Sequence, residues 1–287
     1  MVRKNNKVVK FLLAIMVVVS MSAINVRHPL ASEVYFTNYY GIEMTEEEYS
    51  TLLNLGFTER EINYMLEREF EENKDLDATL VASNIKYFKT VVPMYGTSYS
   101  VEVTQSEYLN HSNIQPLGVL YTYYREEVST ISQNGTKYRY KLSTGWLNWP
   151  SVASYDIMAI GFVNSVYISS NNPYFNYSYD LADGSHVTST VYYDKKKTST
   201  GGSAVYKMPS NVVTLTSNLY FDVMKNTNDT LTSLTMCADY GHALYTVTTT
   251  QAANHTISTG GIELDATVYN YYDDTPCCDA IITDISW

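Results

Sequence analysis

The sequence predicts a mainly β protein, an antiparallel β-sandwich preceded by a short α-helical hairpin. From about Val91 onward apolar residues recur at every second position, whereas between Glu33 and Asp77 they recur at every third or fourth. Turn dipeptides punctuate the later region at Asn134-Gly135, Asp183-Gly184, Gly201-Gly202 and Gly260-Gly261. About a dozen short runs with almost no helical pattern between them favour antiparallel sheets over alternating strands and helices.

Residues 1–31 read as an export signal. Arg3, Lys4, Lys7 and Lys10 precede an apolar run from Phe11 to Val19, followed by small residues. The run is about half of the roughly 20 residues that a membrane-spanning helix needs. Cleavage is expected after Ser22 or after Ala31, and a chain left uncleaved would stay tethered by its N-terminus. The expected location is therefore secreted or extracellular. Removing residues 1–31 takes five basic residues and no acids, moving the formal charge from −11 to −16. Such a balance argues against nucleic acid as a partner, because phosphate binding needs a basic patch.

Residues 33–77 form the expected hairpin, with 13 of the 30 acids against three basic residues. Thr45 with Glu48, and Thr58 with Glu61, each have the spacing of a capping box that opens a helix. Tyr49, Leu52 and Leu53 give the first helix an apolar stripe; Ile62, Met65, Leu66 and Phe70 give the second. Gly56 is placed to end the first helix in the left-handed conformation. Residues 78–90 are expected to be a linker, and residues 91–287 the sandwich domain.

Within that domain, Tyr99, Val101 and Val103 share one strand face. Tyr138, Tyr140 and Leu142 share another, with Lys137, Arg139 and Lys141 opposite, the pattern of half-buried strands. Asp156 to Phe162 is apolar on both faces after its first residue, as in a central strand. Further strands are expected at Val187 to Tyr193, Val212 to Phe221, Leu231 to Ala238, Ala243 to Thr249, Ile262 to Tyr271 and Ala280 to Ile285. The 28 tyrosines against 8 phenylalanines suit sheets with a wet face, since the ring buries while the hydroxyl stays solvated.

Two local resemblances stand out. Leu52-Leu53-Asn54-Leu55-Gly56-Phe57-Thr58 is similar to the Leu/Met-Gly-Phe turn of ubiquitin-associated domains, which implies shared helix-turn-helix geometry only. The run Tyr39-Tyr40-Gly41-Ile42-Glu43-Met44-Thr45-Glu46-Glu47-Glu48-Tyr49, with the segment Ser154 to Phe162, resembles uncharacterised exported proteins of Gram-positive bacteria. That resemblance implies an exported, two-part protein and brings no activity with it.

Chemistry is sparsely signalled. With three cysteines, a disulfide from Cys237 to Cys277 or to Cys278 is the expectation in an oxidising compartment. Adjacent Cys277 and Cys278 do not suit zinc, and no metal or cofactor is expected. Cys237, Asp239 and His242 lie close enough to suggest a Cys–His pair, but an Asp-x-Gly turn explains their spacing. Asp180, Asp183 and His186 flank another turn without the spacing of a calcium loop. Trp146 and Trp149 are candidates for ligand binding by ring stacking, against the alternative of core filling. The function read from all this is a secreted or cell-surface non-enzymatic binding protein, its partner a glycan, the cell envelope or a host surface. The alternatives are a β-pore-forming or membrane-acting protein, with Val212 to Phe221 and Leu231 to Ala238 as the inserting hairpin, and a secreted hydrolase.

Overall fold

The computed structural model describes residues 33–110, 118–150, 152–163, 165–169, 173–226, 231–273, 275 and 277–283. The expected signal segment, 1–31, lies outside them. The chain begins with a small ribbon, β1 (Phe36–Thr37) and β2 (Glu43–Met44), and three helices, α1 (Glu46–Asn54), α2 (Glu59–Asn63) and α3 (Glu67–Asn73). Both capping boxes form, on Thr45 and on Thr58. Gly56 follows the end of α1 at φ +85, and a Cβ there would meet Thr130 Oγ1 at 2.3 Å. Glycine is thus required both by the backbone and by the approach to the sheet.

The expected second helix is in fact two. Asn38, buried, donates its side-chain N–H to the carbonyls of Ile62 at 3.4 Å and Met65 at 2.9 Å, groups that a continuous helix would use internally. Leu66 is accordingly extended and starts α3 afresh.

Two sheets follow. The large one runs β10-β9-β13-β6-β5-β3-β4, with β8 beside the end of β13. Its strands are β3 (Ala78–Pro93), β4 (Tyr99–Val103), β5 (Val119–Asn134), β6 (Lys137–Trp146), β8 (Val166–Ile168), β9 (Tyr174–Leu181), β10 (His186–Ser189) and β13 (Val212–Lys225). The smaller runs β11-β12-β7-β14-β17, from β7 (Tyr155–Phe162), β11 (Asp194–Lys197), β12 (Gly201–Lys207), β14 (Ser233–Gly241) and β17 (Cys278–Thr283). Every pairing in both is antiparallel. Tyr140, Leu142, Leu219 and Phe221 of the large sheet pack with Met158, Ile160, Tyr206 and Met236 of the small one in a single core. The expected mainly β sandwich with its helical preface is what forms, with β7 at the centre of its sheet.

Further expectations change, and the strand expected at Val187 to Tyr193 stops at Ser189. Residues 78–90 are not a linker but the body of β3, paired along its length with β5. Ala243 to Thr249 is not a strand: Thr248 and Gln251 make a further capping box and open a helix at Thr249–Ala253. Ile262 to Tyr271 keeps only a short strand, β16 (Gly261–Leu264), paired with β15 (His255–Ser258), before a 3-10 turn at Tyr269–Tyr271.

The helices cover the outer face of β6, β13 and β9. Lys141 and Arg139, expected on a wet face, are 1% and 6% exposed beneath them.

Candidate functional site

The exposed aromatic residues separate by strand register into groups, and one group is built on the edge of the large sheet. β3 and β4 form a hairpin whose loop carries Met94 at 50% and Tyr95 at 86% exposure. Val91 pairs with Tyr99 on one side and Thr122 on the other, while Val92 pairs with Tyr121. Tyr99 and Val101 of β4 and Leu120 and Tyr121 of β5 therefore stand near the same end, Tyr99 with Val91 on one face of the sheet and Tyr121 with Val92 on the other, and all are exposed. Tyr121 stacks on the buried Tyr123 with ring centres 6.1 Å apart. Among the described residues β4 pairs with β3 alone, so its other edge offers backbone N–H and C=O groups.

This edge is held by a buried charged centre. Arg125, on the core side of β5, donates to Glu127 at 2.9 Å and to Asp273 at 2.6 Å. The rings of Phe88, Trp146 and Tyr240 lie 5.0–5.3 Å from its guanidinium carbon. Asp273 also accepts from the Ser100 hydroxyl at 3.0 Å and from the His242 backbone N–H at 2.7 Å, so edge strand, core and C-terminal segment meet at one carboxylate. Burial opposes the Arg125 charge, but Asp273 and Glu127 hold the guanidinium more firmly protonated than usual. Glu127 goes the other way. Burial raises it to about 8 against the pull of Arg125, and its Oε2 has no hydrogen-bond partner among the described residues.

Beside this centre a chain of hydroxyls crosses between the sheets. Trp146 Nε1 donates to the Tyr240 oxygen at 3.1 Å, and Tyr240 donates to Asp156, which also receives His242 Nδ1 at 3.1 Å. Because Asp156 can only accept as a carboxylate, Tyr206 donates to Tyr240, at 3.2 Å, and Ser217 to Tyr206, at 3.0 Å. Trp146, 3% exposed, is thus a core residue with its N–H committed, and ring stacking with a ligand is excluded by that burial. Trp149 is half-buried and packed on the same core.

The other sequence candidates disperse. Cys237 and Cys277 are joined by a disulfide, with Cα atoms 5.8 Å apart, and Cys278 is free and buried. Asp239 accepts the Ile262 N–H at 2.9 Å, so the suggested Cys237, Asp239 and His242 grouping does not assemble. Desolvation holds the Asp239 carboxyl up at about 7. Asp180 and His186 do meet, at 2.6 Å across the β9–β10 hairpin, but as a fastening for the helices. Arg60 joins Asp180 at 2.8 Å and Tyr64 stacks on His186 with ring centres 3.4 Å apart. Asp180 is lowered to about 2: burial works against this, and the bonds from His186, Thr214 and Arg60 outweigh it. β13 and β14 lie in different sheets, so the segments weighed as an inserting hairpin are not paired. No described helix is long and apolar enough to cross a membrane.

Two arrangements carried no sequence signal. Ser203 Oγ lies 2.8 Å from His255 Nε2, while His255 Nδ1 faces the Ala252 carbonyl at 3.0 Å. Nδ1 is therefore the protonated nitrogen and Ser203 donates to Nε2; both residues are buried and fasten the β15–β16 hairpin to β12. Burial lowers His255 to about 4, so it is neutral at pH 7. The second is an open groove of about 620 Å³ between α1 and the 74–78 segment, lined by Glu47, Glu48, Asp75 and Asp77 around Lys74.

No family model matches the chain, and no curated protein matches it. Among solved structures, it is similar to the collagen binding domain of Erysipelothrix rhusiopathiae surface protein RspB, at 10% identity and a TM-score of 0.28 over 58% of this chain and 67% of that one. It is also similar to the C-terminal domain of the Streptococcus agalactiae AgI/II polypeptide BspA, at 10% identity and a TM-score of 0.28 over 57% and 75%. A third is BcpA, the major pilin subunit of Bacillus cereus, at 9% identity and a TM-score of 0.26 over 57% and 64%. At that distance no ligand carries over from them.

Proposed function

We propose that this is a non-enzymatic binding protein that works outside the cytoplasm and grips its partner at the aromatic end of the β3–β4 edge. The observation that carries the reading is the exposure of Met94, Tyr95, Tyr99, Leu120 and Tyr121 at the loop end of the sheet whose edge strand, β4, is open. An extended segment added to β4 would gain backbone hydrogen bonds, while tyrosine rings beside it supply rigid, half-polar contact area. The Arg125–Asp273–Ser100 links hold the edge in place before contact, which lowers the ordering cost of binding. Glycan, cell-envelope and host-surface preparations are the partners to screen. Immobilised protein should retain one of them, and a Tyr95→Ala, Tyr99→Ala, Tyr121→Ala variant with unchanged β-sheet circular dichroism should lose it. Equal retention by both proteins would move the contact elsewhere on the molecule.

A further inference from the structure

The helical unit, residues 33–77, is closed on its apolar side and polar where it meets the large sheet. Leu52, Leu55, Phe57, Ile62, Met65 and Phe70 bury one another; among the described residues the sandwich contributes Ala78 and Tyr220 to that buried cluster, with the half-buried Tyr174 packed against it. The links that cross to the sheet are of another kind. Lys141 Nζ reaches Glu61 at 2.7 and 2.9 Å, with Ser143 at 2.8 Å; Asn176 and Tyr220 donate to Glu69 at 2.7 and 3.2 Å. Arg139 binds the Asn73 side chain, and Arg60 reaches back to Asp180. The sheet face thus offers Lys141, Arg139 already paired with Asp222 of β13, Asp180, and amides and hydroxyls, and the helices bring Glu61, Glu69 and Arg60.

The unit is joined to β3 only through Lys74–Asp77, four residues that extend to roughly 13 Å. It can therefore leave the sheet with most of its own core intact, giving up chiefly the packing of Phe57 on Tyr220 and the contact with Tyr174. Opening of that kind costs less than global unfolding and exposes a face that is polar already.

We propose that the unit is an exchangeable cap, and that the sheet face of one copy accepts residues 33–77 of a second copy, so that the chain self-associates by trading caps. A cap docked in trans makes the same contacts as one docked in cis, and the balance between the two is set by protein concentration. Repulsion between acidic copies is long-ranged and fades with salt, whereas the buried pairs are screened much less. The exchanged form accordingly gains with ionic strength.

Complementation between two full-length variants tests this. Arg60→Asp and Asp180→Arg each put like charges at the partly exposed end of the interface, in cis and in any exchanged homodimer. A mixed exchanged dimer restores one native Arg60–Asp180 pair and creates one reversed pair. Light scattering on an equimolar mixture at fixed, low ionic strength should show several-fold more dimer than either variant alone; the rise of the exchanged form with salt is read on the wild type. Hydrogen exchange of the wild type should show α1 and α2 opening ahead of β6 and β13. A mixture that stays monomeric while the cap amides open would overturn the proposal. So would cap and sandwich amides that exchange together, since the cap would then not separate. If either variant loses its β-sheet circular dichroism, Glu61→Gln with Lys141→Met forms the second complementing pair, read in the same way.

Discussion

Substituting Lys141 by Met removes the cation at the middle of the cap interface, and the surroundings of each partner set the cost. Removing one member of a buried ion pair typically costs about 3–5 kcal/mol. Glu61, left alone, still accepts the Thr58 N–H at 2.6 Å and the Ser143 hydroxyl at 2.8 Å, so Lys141→Met should fall near the lower figure, about 3 kcal/mol. The reverse change is worse served. In Glu61→Gln, Lys141 keeps the Gly56 carbonyl at 3.2 Å and the Phe57 ring at 5.2 Å, with no counter-charge in direct contact, which points to about 5 kcal/mol. The double variant should cost less than the sum by about 2 kcal/mol or more, because neither orphan is left behind. Urea titration followed by circular dichroism reports the sandwich, and hydrogen exchange in α2 reports the cap. The loss should appear in α2 first. If both single variants cost under about 1 kcal/mol and add without coupling, the pair does not hold the cap and the account of the interface is wrong.

Other outcomes follow from the same geometry. Burial raises Glu69 to about 8, so its contribution to stability is complete below the ordinary carboxylate pKa and is lost as pH rises through about 8; Glu69→Gln should flatten the stability profile between pH 5 and 9. Trp146→Ala empties a core position and removes one of the two donors to the Tyr240 oxygen, and should cost about 3–5 kcal/mol in chemical denaturation. Cys237→Ser with Cys277→Ser opens a 40-residue loop and should cost about 4 kcal/mol, and reductant should shift the midpoint of the wild type but not that of the double variant. Mature protein added to dye-loaded vesicles should release nothing above buffer; release would instead favour the membrane-acting alternative.

What sequence reveals here is mostly local. Thr45 with Glu48 and Thr58 with Glu61 mark helix starts because a capping box is complete within four residues. The core face of β6 was legible as Tyr138, Tyr140 and Leu142 for the same reason. Its other face was not, because alternating Arg139 and Lys141 read as solvated until a separate element supplies Glu61 and Asn73. The break between α2 and α3 depends on Asn38, more than twenty residues upstream. β3 was hidden differently: Asn84, Lys86 and Lys89 dilute its β-branched residues, and pairing with β5 from Ala78 to Pro93, broken only by two register shifts, outweighs that composition. The candidate edge was half visible. Tyr99 and Val101 were placed on one face, but nothing local puts Tyr121 at the same end of the sheet or ties Ser100, between them, to Asp273.

The two neighbouring cysteines near the C-terminus acquire a meaning from the pleat of β17. In an unfolded chain Cys277 and Cys278 are equally close, in sequence, to Cys237. Once β17 has paired with β14, Cys278 turns inward with Ala280 and Ile282, its sulfur against Ser129 and the carbonyls of Asn84 and Glu127, while Cys277 stays at the outer side beside Cys237. Burial also raises the Cys278 thiol, leaving less of the reactive thiolate. Strand pairing thus acts as a proofreader of oxidation: chains that fold before they are oxidised close the right bond, and those oxidised first draw between two equivalent thiols.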